Sequence, residues 1–281
     1  MALNFTPLSD EGLAAMARQN RIDTARMFKA AGNGHFGSCY SCADILTALY
    51  FAIMRLDPAN PEWPDRDRFL FSKGHAAPTL YSALIRRGFI PESWIAEYET
   101  YVGSRLMTHP SRRYQPGVDC SLGALGHGLS IGVGMALAAR MDRKNYVTYV
   151  LMGDGEINEG SVWEAAMSAA KFGLGNLVGI VDSNGLCVDG RVAEVMPMEP
   201  MIDKWQSFGW DVSRIDGHDF GKLRHVLAPR RDEALSRPRM VIADTVKGKG
   251  VSFMEDVRSW HSDTITEAQF ARVLTELGAN P

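Results

Sequence analysis

The sequence predicts an α/β fold, a doubly wound parallel sheet flanked by helices, and three observations predict it. Short runs rich in Val and Ile alternate with stretches long enough for crossover helices. The later runs are apolar throughout and not at every second residue, which suits strands covered on both faces. Strand, helix and strand in succession are the pattern of crossovers within one sheet.

In chain order, residues 11–31 carry apolar side chains at helical spacing and stop at Ala31-Gly32-Asn33-Gly34. Residues 44–54 read as a second helix and the Pro-rich stretch 57–64 as a loop, which makes residues 1–65 a helical region. Strands are expected at 68–72, 146–152, 177–181, 211–215 and 240–243. Crossover helices are expected at 161–171, 201–208 and 222–236, and a last helix near 267–277. No internal repeat or low-complexity segment interrupts the order, so residues 1–281 are expected to form a single domain that stops after its final helix.

The chain is 46% hydrophobic and 22% charged, with a formal net charge of −3 and no long run of either sign. Nucleic acid and anionic membrane are thereby excluded as partners, and an anionic ligand must be held by local groups. The N-terminus lacks a basic segment followed by an apolar one, and the apolar run at 43–54 is too short to span a bilayer. A cytoplasmic location is expected. Cys39-Tyr40-Ser41-Cys42 has C-x-x-C spacing, but no second pair completes a metal set, and Cys120 and Cys187 stand alone. These thiols are expected to be inert.

The strongest strand runs into Gly153-Asp154-Gly155-Glu156, with a helix beginning near Gly160. In open α/β sheets ligands collect at the carboxyl ends of strands. Glycines let the backbone approach a ligand closely, and a helix N-terminus offers free N–H groups to an anion. Asp154 is placed to hold a hard cation that neutralises a diphosphate. The next strand delivers Asp182-Ser183-Asn184-Gly185-Leu186, and neighbouring parallel strands would set Asn184 beside Asp154. The Asn184 amide oxygen and a nearby backbone carbonyl, that of Leu186, suit Mg²⁺, Ca²⁺ or Mn²⁺. Either motif alone reads equally as a turn; two of them, each at a strand end and about 30 residues apart, are far more specific.

That pair resembles the shared signature of thiamine-diphosphate enzymes, and the histidines resemble one branch of them, the transketolases. Gly34-His35 is similar to that family's first Gly-His, and the strand leading to Ser72-Lys73-Gly74-His75 to its Ser-x-Gly-His. Gly123-Ala124-Leu125-Gly126-His127-Gly128 resembles its Gly-Pro-Leu-Gly-Gln-Gly loop, and Lys247-Gly248-Lys249-Gly250 leading to His261 its Lys-Gly-x-Gly … His segment. The resemblance runs over nearly the whole chain and implies the thiamine diphosphate-binding fold, as the diphosphate-binding half. It implies that His75, His261, Lys247, Asp154, Gly155, Glu156 and Asn184 hold the cofactor, with the backbone of Gly123, Ala124 and Leu125 against its aminopyrimidine. His35, His109 and His261 would surround the reactive carbon and the sugar hydroxyls, where an imidazole gives and takes a proton. Glu159 and Glu164 would lie at an interface between protomers, linking paired active sites; as acidic residues at a helix start they also simply complement the helix dipole.

Three positions depart from the family pattern. Ala124 stands for its Pro, His127 for its Gln, and Ser111 for the acidic residue after His109-Pro110. These put donor and acceptor preference in question, not cofactor binding. The family's pyrimidine-binding domain has no counterpart in the chain, so the resemblance implies the N-terminal subunit of a split, two-subunit enzyme. Its partner would be a separate C-terminal subunit in an α2β2 assembly, with sugar phosphates as substrates. The apolar, Met-rich stretches 130–139 and 195–198 read either as interface or as ordinary core and loop. The alternatives are a deoxyxylulose-phosphate-synthase-like chain, the α chain of a 2-oxo acid dehydrogenase, and a non-catalytic cofactor-binding regulator. The histidine set favours transketolase over each.

Overall fold

The computed structural model describes residues 6–101, 103–231 and 236–280 of the chain. Part of the helix expected at 222–236 and the first five residues of the N-terminal stretch lie outside them.

Helix α1 (Asp10–Ala31) starts where the Ser9 side chain accepts the Gly12 N–H, and it stops at Gly32, whose φ of 83° is left-handed. After the two-residue strand β1 (Asn33–Gly34) come α2 (Phe36–Ser41) and α3 (Ala43–Ala48), which widens into a π turn at Leu49–Ile53. The regular helix expected at 44–54 is therefore a short helix plus a wider turn. Leu49, Tyr50 and Phe51 are consecutive and all buried, which one face of a regular helix does not allow.

The alternation then sets in: β2 (Arg68–Phe71), α4 (Ala77–Arg87), α5 (Gly128–Met141), β3 (Thr148–Gly153), α6 (Gly160–Lys171) and β4 (Leu177–Ser183). It continues with α7 (Val192–Val195), α8 (Met201–Ser207), β5 (Asp211–Asp216), α9 (Phe220–Leu227), β6 (Arg239–Asp244), β7 (Asp263–Thr264) and α10 (Glu267–Glu276). The five longer strands form one parallel sheet in the order β2-β3-β4-β6-β5. β1 and β7 pair antiparallel.

Both sheet faces are covered, as the uninterrupted apolar runs predict. Phe69, Phe71, Tyr149, Leu151, Ile180 and Val241 pack into one core with α1 to α4, α9 and α10. Their neighbours Leu70, Val150, Met152, Val181, Met240 and Ile242 pack into the other with α5, α6 and α8. The strand at 211–215 departs from that expectation. β5 is an edge strand, half exposed, because its Asp211, Ser213, Arg214 and Asp216 are polar. The helix expected at 222–236 ends at Leu227, since Pro229 leaves no helical conformation for the residue before it.

The helical N-terminal region is tied in by a buried ion pair. Arg21 donates to both Asp44 oxygens, at 3.0 and 2.7 Å, and to the Tyr40 carbonyl at 3.0 Å. Burial works to raise the Asp44 carboxyl, but the Arg21 charge and a hydrogen bond from His218 outweigh it and hold it down at about 2. A depressed carboxyl contributes stability above its ordinary value of 3.8, and that contribution is lost as pH falls through about 2. We therefore expect Asp44→Asn to cost ~2 kcal/mol at pH 7. In urea unfolding of both proteins, the gap narrows as pH drops below 4; a gap independent of pH contradicts the assignment.

Candidate functional site

Because the sheet is parallel, the segments after all five strands emerge at one end: 72–75, 154–156, 184–186, 217–218 and 245–247. Every strand-borne residue singled out in the sequence is there. The largest cavity, about 810 Å³, lies at the opposite end among Arg140, Arg143, Lys144 and Lys171. Those cations cluster at the last turns of α5 and α6, where they complement the helix dipoles, so we take the strand carboxyl ends as the site.

β3 and β4 are neighbours with Gly153 opposite Asp182, which brings Asp154 beside the 182–186 turn. The Asp154 N–H donates to the Asp182 carbonyl at 3.3 Å. Its carboxylate accepts the Gly155 N–H at 2.8 Å and the Gly185 N–H at 2.6 Å. Burial and the neighbouring Asp182 charge push the Asp154 carboxyl up to about 6. Asn184 Oδ1 accepts the Leu186 N–H at 3.2 Å, and the Leu186 carbonyl accepts from Lys247 Nζ at 2.7 Å. Each of these three oxygens keeps a lone pair. A buried carboxylate held by backbone N–H groups, with an amide and a carbonyl oxygen close by, fits a hard divalent cation. Among the described residues no cluster of three His, Cys, Asp or Glu offers another cation site.

Beneath these groups Lys73 is buried, donating to Asp182 and, at 2.9 Å, to the Ser38 carbonyl. Asp182 also accepts Ser41 Oγ at 2.6 Å and the Thr245 hydroxyl. One carboxylate therefore ties β2, β4, β6 and α2 together below the site. Glu156, placed by the family resemblance among the cofactor ligands, turns inward instead. Its carboxylate accepts the Ser72 hydroxyl, the Gly126 N–H at 2.9 Å and the Gly153 N–H at 3.0 Å. It braces the Gly-Asp-Gly turn against the 123–128 loop and leaves little capacity for a ligand.

His35, His75 and His261 converge, with ring centroids 5.3, 5.8 and 5.6 Å apart. His35 immediately precedes α2, His75 follows β2, and His261 closes a short 3₁₀ turn, Arg258–His261, that packs on α2. Burial, followed by the His109 charge, lowers His35. Burial and the Lys73 charge hold His75 well below its usual value. Burial and the Lys247 charge bring His261 down to about 3. All three are neutral imidazoles at pH 7. Lys247 Nζ lies 2.8 Å from His261 Nδ1; an ammonium has only donors, so Nδ1 accepts and the ring proton sits on Nε2. Burial also lowers Lys247 to about 8, which leaves it cationic at neutral pH.

Close packing makes this arrangement depend on missing side chains. A Cβ on Gly37 would lie 2.8 Å from Lys247 Cγ, and one on Gly74 would lie 2.4 Å from the Leu122 carbonyl. His109 is exposed at the rim, its ring over Gly74 and Gly123. Gly123, Ala124 and Leu125 are exposed beside it. His127 points away, exposed, its Nδ1 3.0 Å from the Leu125 carbonyl. Glu159 is the residue before α6 rather than within its first turn, makes no capping bond, and is exposed, as is Glu164. Cys39 and Cys42 are buried free thiols, and burial pushes Cys39 up to about 12.

The sequence does not single out Ser38, Ser72, Lys73, Asp182, Thr245 or His218 for these roles. Ser72 and Lys73 lie inside the Ser-x-Gly-His motif and Asp182 inside the turn motif, so their positions are marked. His218 carries only a Gly-His dipeptide after a strand.

Fold and site define a parallel α/β domain with an oxygen-ligand set and a neutral histidine cluster at its strand ends, the class of a diphosphate-binding module. Residues 13–281 match the family described as transketolase, thiamine diphosphate binding domain, and the chain belongs to the transketolase family. It is 43% identical over 267 residues to the first of the named subunits of the apulose-4-phosphate transketolase of Phocaeicola vulgatus, covering 95% of this chain and 94% of that one. It is 41% identical over 246 residues to the 6-deoxy-6-sulfo-D-fructose transketolase subunit SqwG of Clostridium sp., covering 88% and 89%. The solved transketolase of Campylobacter jejuni superposes with a TM-score of 0.88 at 30% identity, covering 96% of this chain and 43% of that one. The chain thus corresponds to the N-terminal thiamine diphosphate-binding domain of split transketolase-like enzymes and spans about two fifths of the solved transketolases it matches.

Proposed function

We propose that this chain is the diphosphate-binding subunit of a two-subunit transketolase. The reaction is the reversible transfer of a two-carbon ketol unit from a ketose phosphate to an aldose acceptor. The observation that carries the reading is the convergence of three neutral imidazoles beside the Asp154–Asn184 turn, at the carboxyl end of one sheet.

In this reading Asp154, Asn184 and the Leu186 carbonyl hold Mg²⁺ or a similar cation. His75, Lys247 and the N–H of Gly155 donate to the diphosphate, and the 123–125 backbone meets the aminopyrimidine. Thiamine diphosphate, when bound, supplies the electron sink for breaking the carbon–carbon bond. His35 and His261 face the sugar as neutral donors: they stabilise charge on the donor oxygen without adding a competing cation, and they return the proton as the bond is remade. His109 at the rim meets the sugar hydroxyls. The catalytic role of Glu159 is interfacial, linking paired sites, which its exposure supports.

Residues 1–281 act as one diphosphate-binding domain in the cytoplasm. Among the described residues no helix is long and apolar enough to cross a membrane. The ring-activating carboxylate and the sugar-phosphate clamp come from a separate pyrimidine-binding subunit, in an α2β2 assembly. Two facts support a partner. The relatives of nearly equal length are named as subunits, and α5, apolar along its length, leaves Ser130, Gly134 and Ala138 exposed. Met196 is exposed as well, while Met198 of the same stretch is core.

The assay follows xylulose 5-phosphate and CO₂ together in the reconstituted enzyme. Consumption of the ketose with an aldose acceptor and without gas release is expected. CO₂ release from a 2-oxo acid would instead support a synthase or dehydrogenase subunit.

A further inference from the structure

His218 lies beyond the histidine cluster, at the carboxyl end of the edge strand β5, and has both ring nitrogens engaged. Nδ1 is 2.6 Å from Asp44 Oδ2, and Nε2 accepts the Val246 N–H at 2.9 Å. A nitrogen that accepts a backbone N–H carries no proton, so the ring is neutral with its proton on Nδ1, directed at a carboxylate that Arg21 clamps from the other side. Val246 is the residue before Lys247. On its far side Lys247 is followed by Gly248, whose N–H donates to the Gly37 carbonyl at 3.2 Å. The backbone of Lys247 is thus pinned at two points, and one of them is His218.

We infer that His218 is a positioning residue that acts through the Val246 N–H to hold Lys247 on the Leu186 carbonyl and on His261, and so fixes the His261 tautomer with its Nε2–H toward the substrate. The inference builds on the proposed ketol-transfer reading for its consequence, but its geometry stands without it. Lys247 is long and would otherwise sample several rotamers; its stem crosses Gly37, and its ammonium bridges two groups from different elements. Slack in the 244–247 backbone moves the ammonium off His261 Nδ1, and an imidazole without that donor distributes its proton over both nitrogens. Gly217 allows the close approach: a Cβ there would lie 2.6 Å from Thr245 Cγ2.

The test is ¹⁵N NMR of the histidine rings in the full-length chain at pH 7.5, without cofactor or partner. The wild type should show His261 with an unprotonated Nδ1 and a protonated Nε2. His218→Asn keeps a donor for Asp44 but is too short to reach Val246, and should give a mixed His261 tautomer in a protein that still unfolds cooperatively. His218→Gln places an acceptor near the Nε2 position and should restore the wild-type signature. Lys247→Met should mix the tautomer alone, and adding His218→Asn to it should change His261 no further. A wild-type signature in His218→Asn, or failure of His218→Gln to restore it, overturns the inference. Neither result depends on the reaction catalysed, so failure here and failure of the ketol-transfer assay are separable.

Discussion

Asp154→Asn is expected to abolish metal-dependent binding of thiamine diphosphate and, at the same time, to stabilise the chain without its ligands. The two effects share one cause. The carboxylate is buried beside Asp182, and burial with that like charge raises it to about 6 from an ordinary 3.8. A carboxyl raised in the folded state costs stability as pH climbs above 3.8, and the full cost is present once pH exceeds about 6. Removing the charge returns up to ~3 kcal/mol at pH 7. The same charge is the anionic member of the oxygen set, so its loss should weaken cofactor binding by on the order of a hundredfold or more. Calorimetric titration with thiamine diphosphate and Mg²⁺, beside a melting curve of the ligand-free chain, measures both. A variant that melts lower and binds equally well would remove Asp154 from the cation site.

His35→Ala should separate chemistry from binding. His35 closes the triangle of rings with His75 and His261 but touches none of the oxygens around Asp154. It sits just before α2, where the aromatic pair Phe28 and Phe36 anchors the backbone, ring centroids 4.6 Å apart. The site should therefore keep its shape when the imidazole is removed. In the reconstituted enzyme we expect kcat for ketol transfer to fall about a hundred- to a thousandfold, as for loss of a proton donor. Cofactor affinity should stay within about twofold. Equal loss of both would make His35 a structural residue.

Those residues are legible because the features that place them are local. The Gly-Asp-Gly and Asn-Gly turns stand at the ends of the two most apolar runs, and apolar runs of that length pair side by side in a parallel sheet. The helices expected at 11–31, 161–171, 201–208 and 267–277 fall within one residue of the observed bounds because caps, prolines and glycines mark their ends. What is not legible depends on the order of strands. Nothing in the sequence states that β6 inserts between β4 and β5, and that insertion puts β5 at the edge and sets Gly217-His218 against Thr245-Val246. His218 cannot be connected to Lys247 without it. Glu156 misleads for a related reason. As part of a ligand-binding motif it looks available, yet the loop holding Gly126 returns from 30 residues earlier and takes up its carboxylate.

A division of labour between two chains accounts for where the carboxylates of this site are spent. Asp154, Asp182 and Glu156 are all buried on this chain's own N–H, hydroxyl and ammonium donors. In the proposed reading, a carboxylate aimed at the aminopyrimidine must then come from outside.

The most direct measurement is ketol transfer from xylulose 5-phosphate to an aldose, with thiamine diphosphate and Mg²⁺, by this chain alone and after addition of its pyrimidine-binding partner. We predict no turnover alone and steady turnover once both chains are present, saturating at equal amounts of the two. Robust turnover by the chain alone would contradict the account.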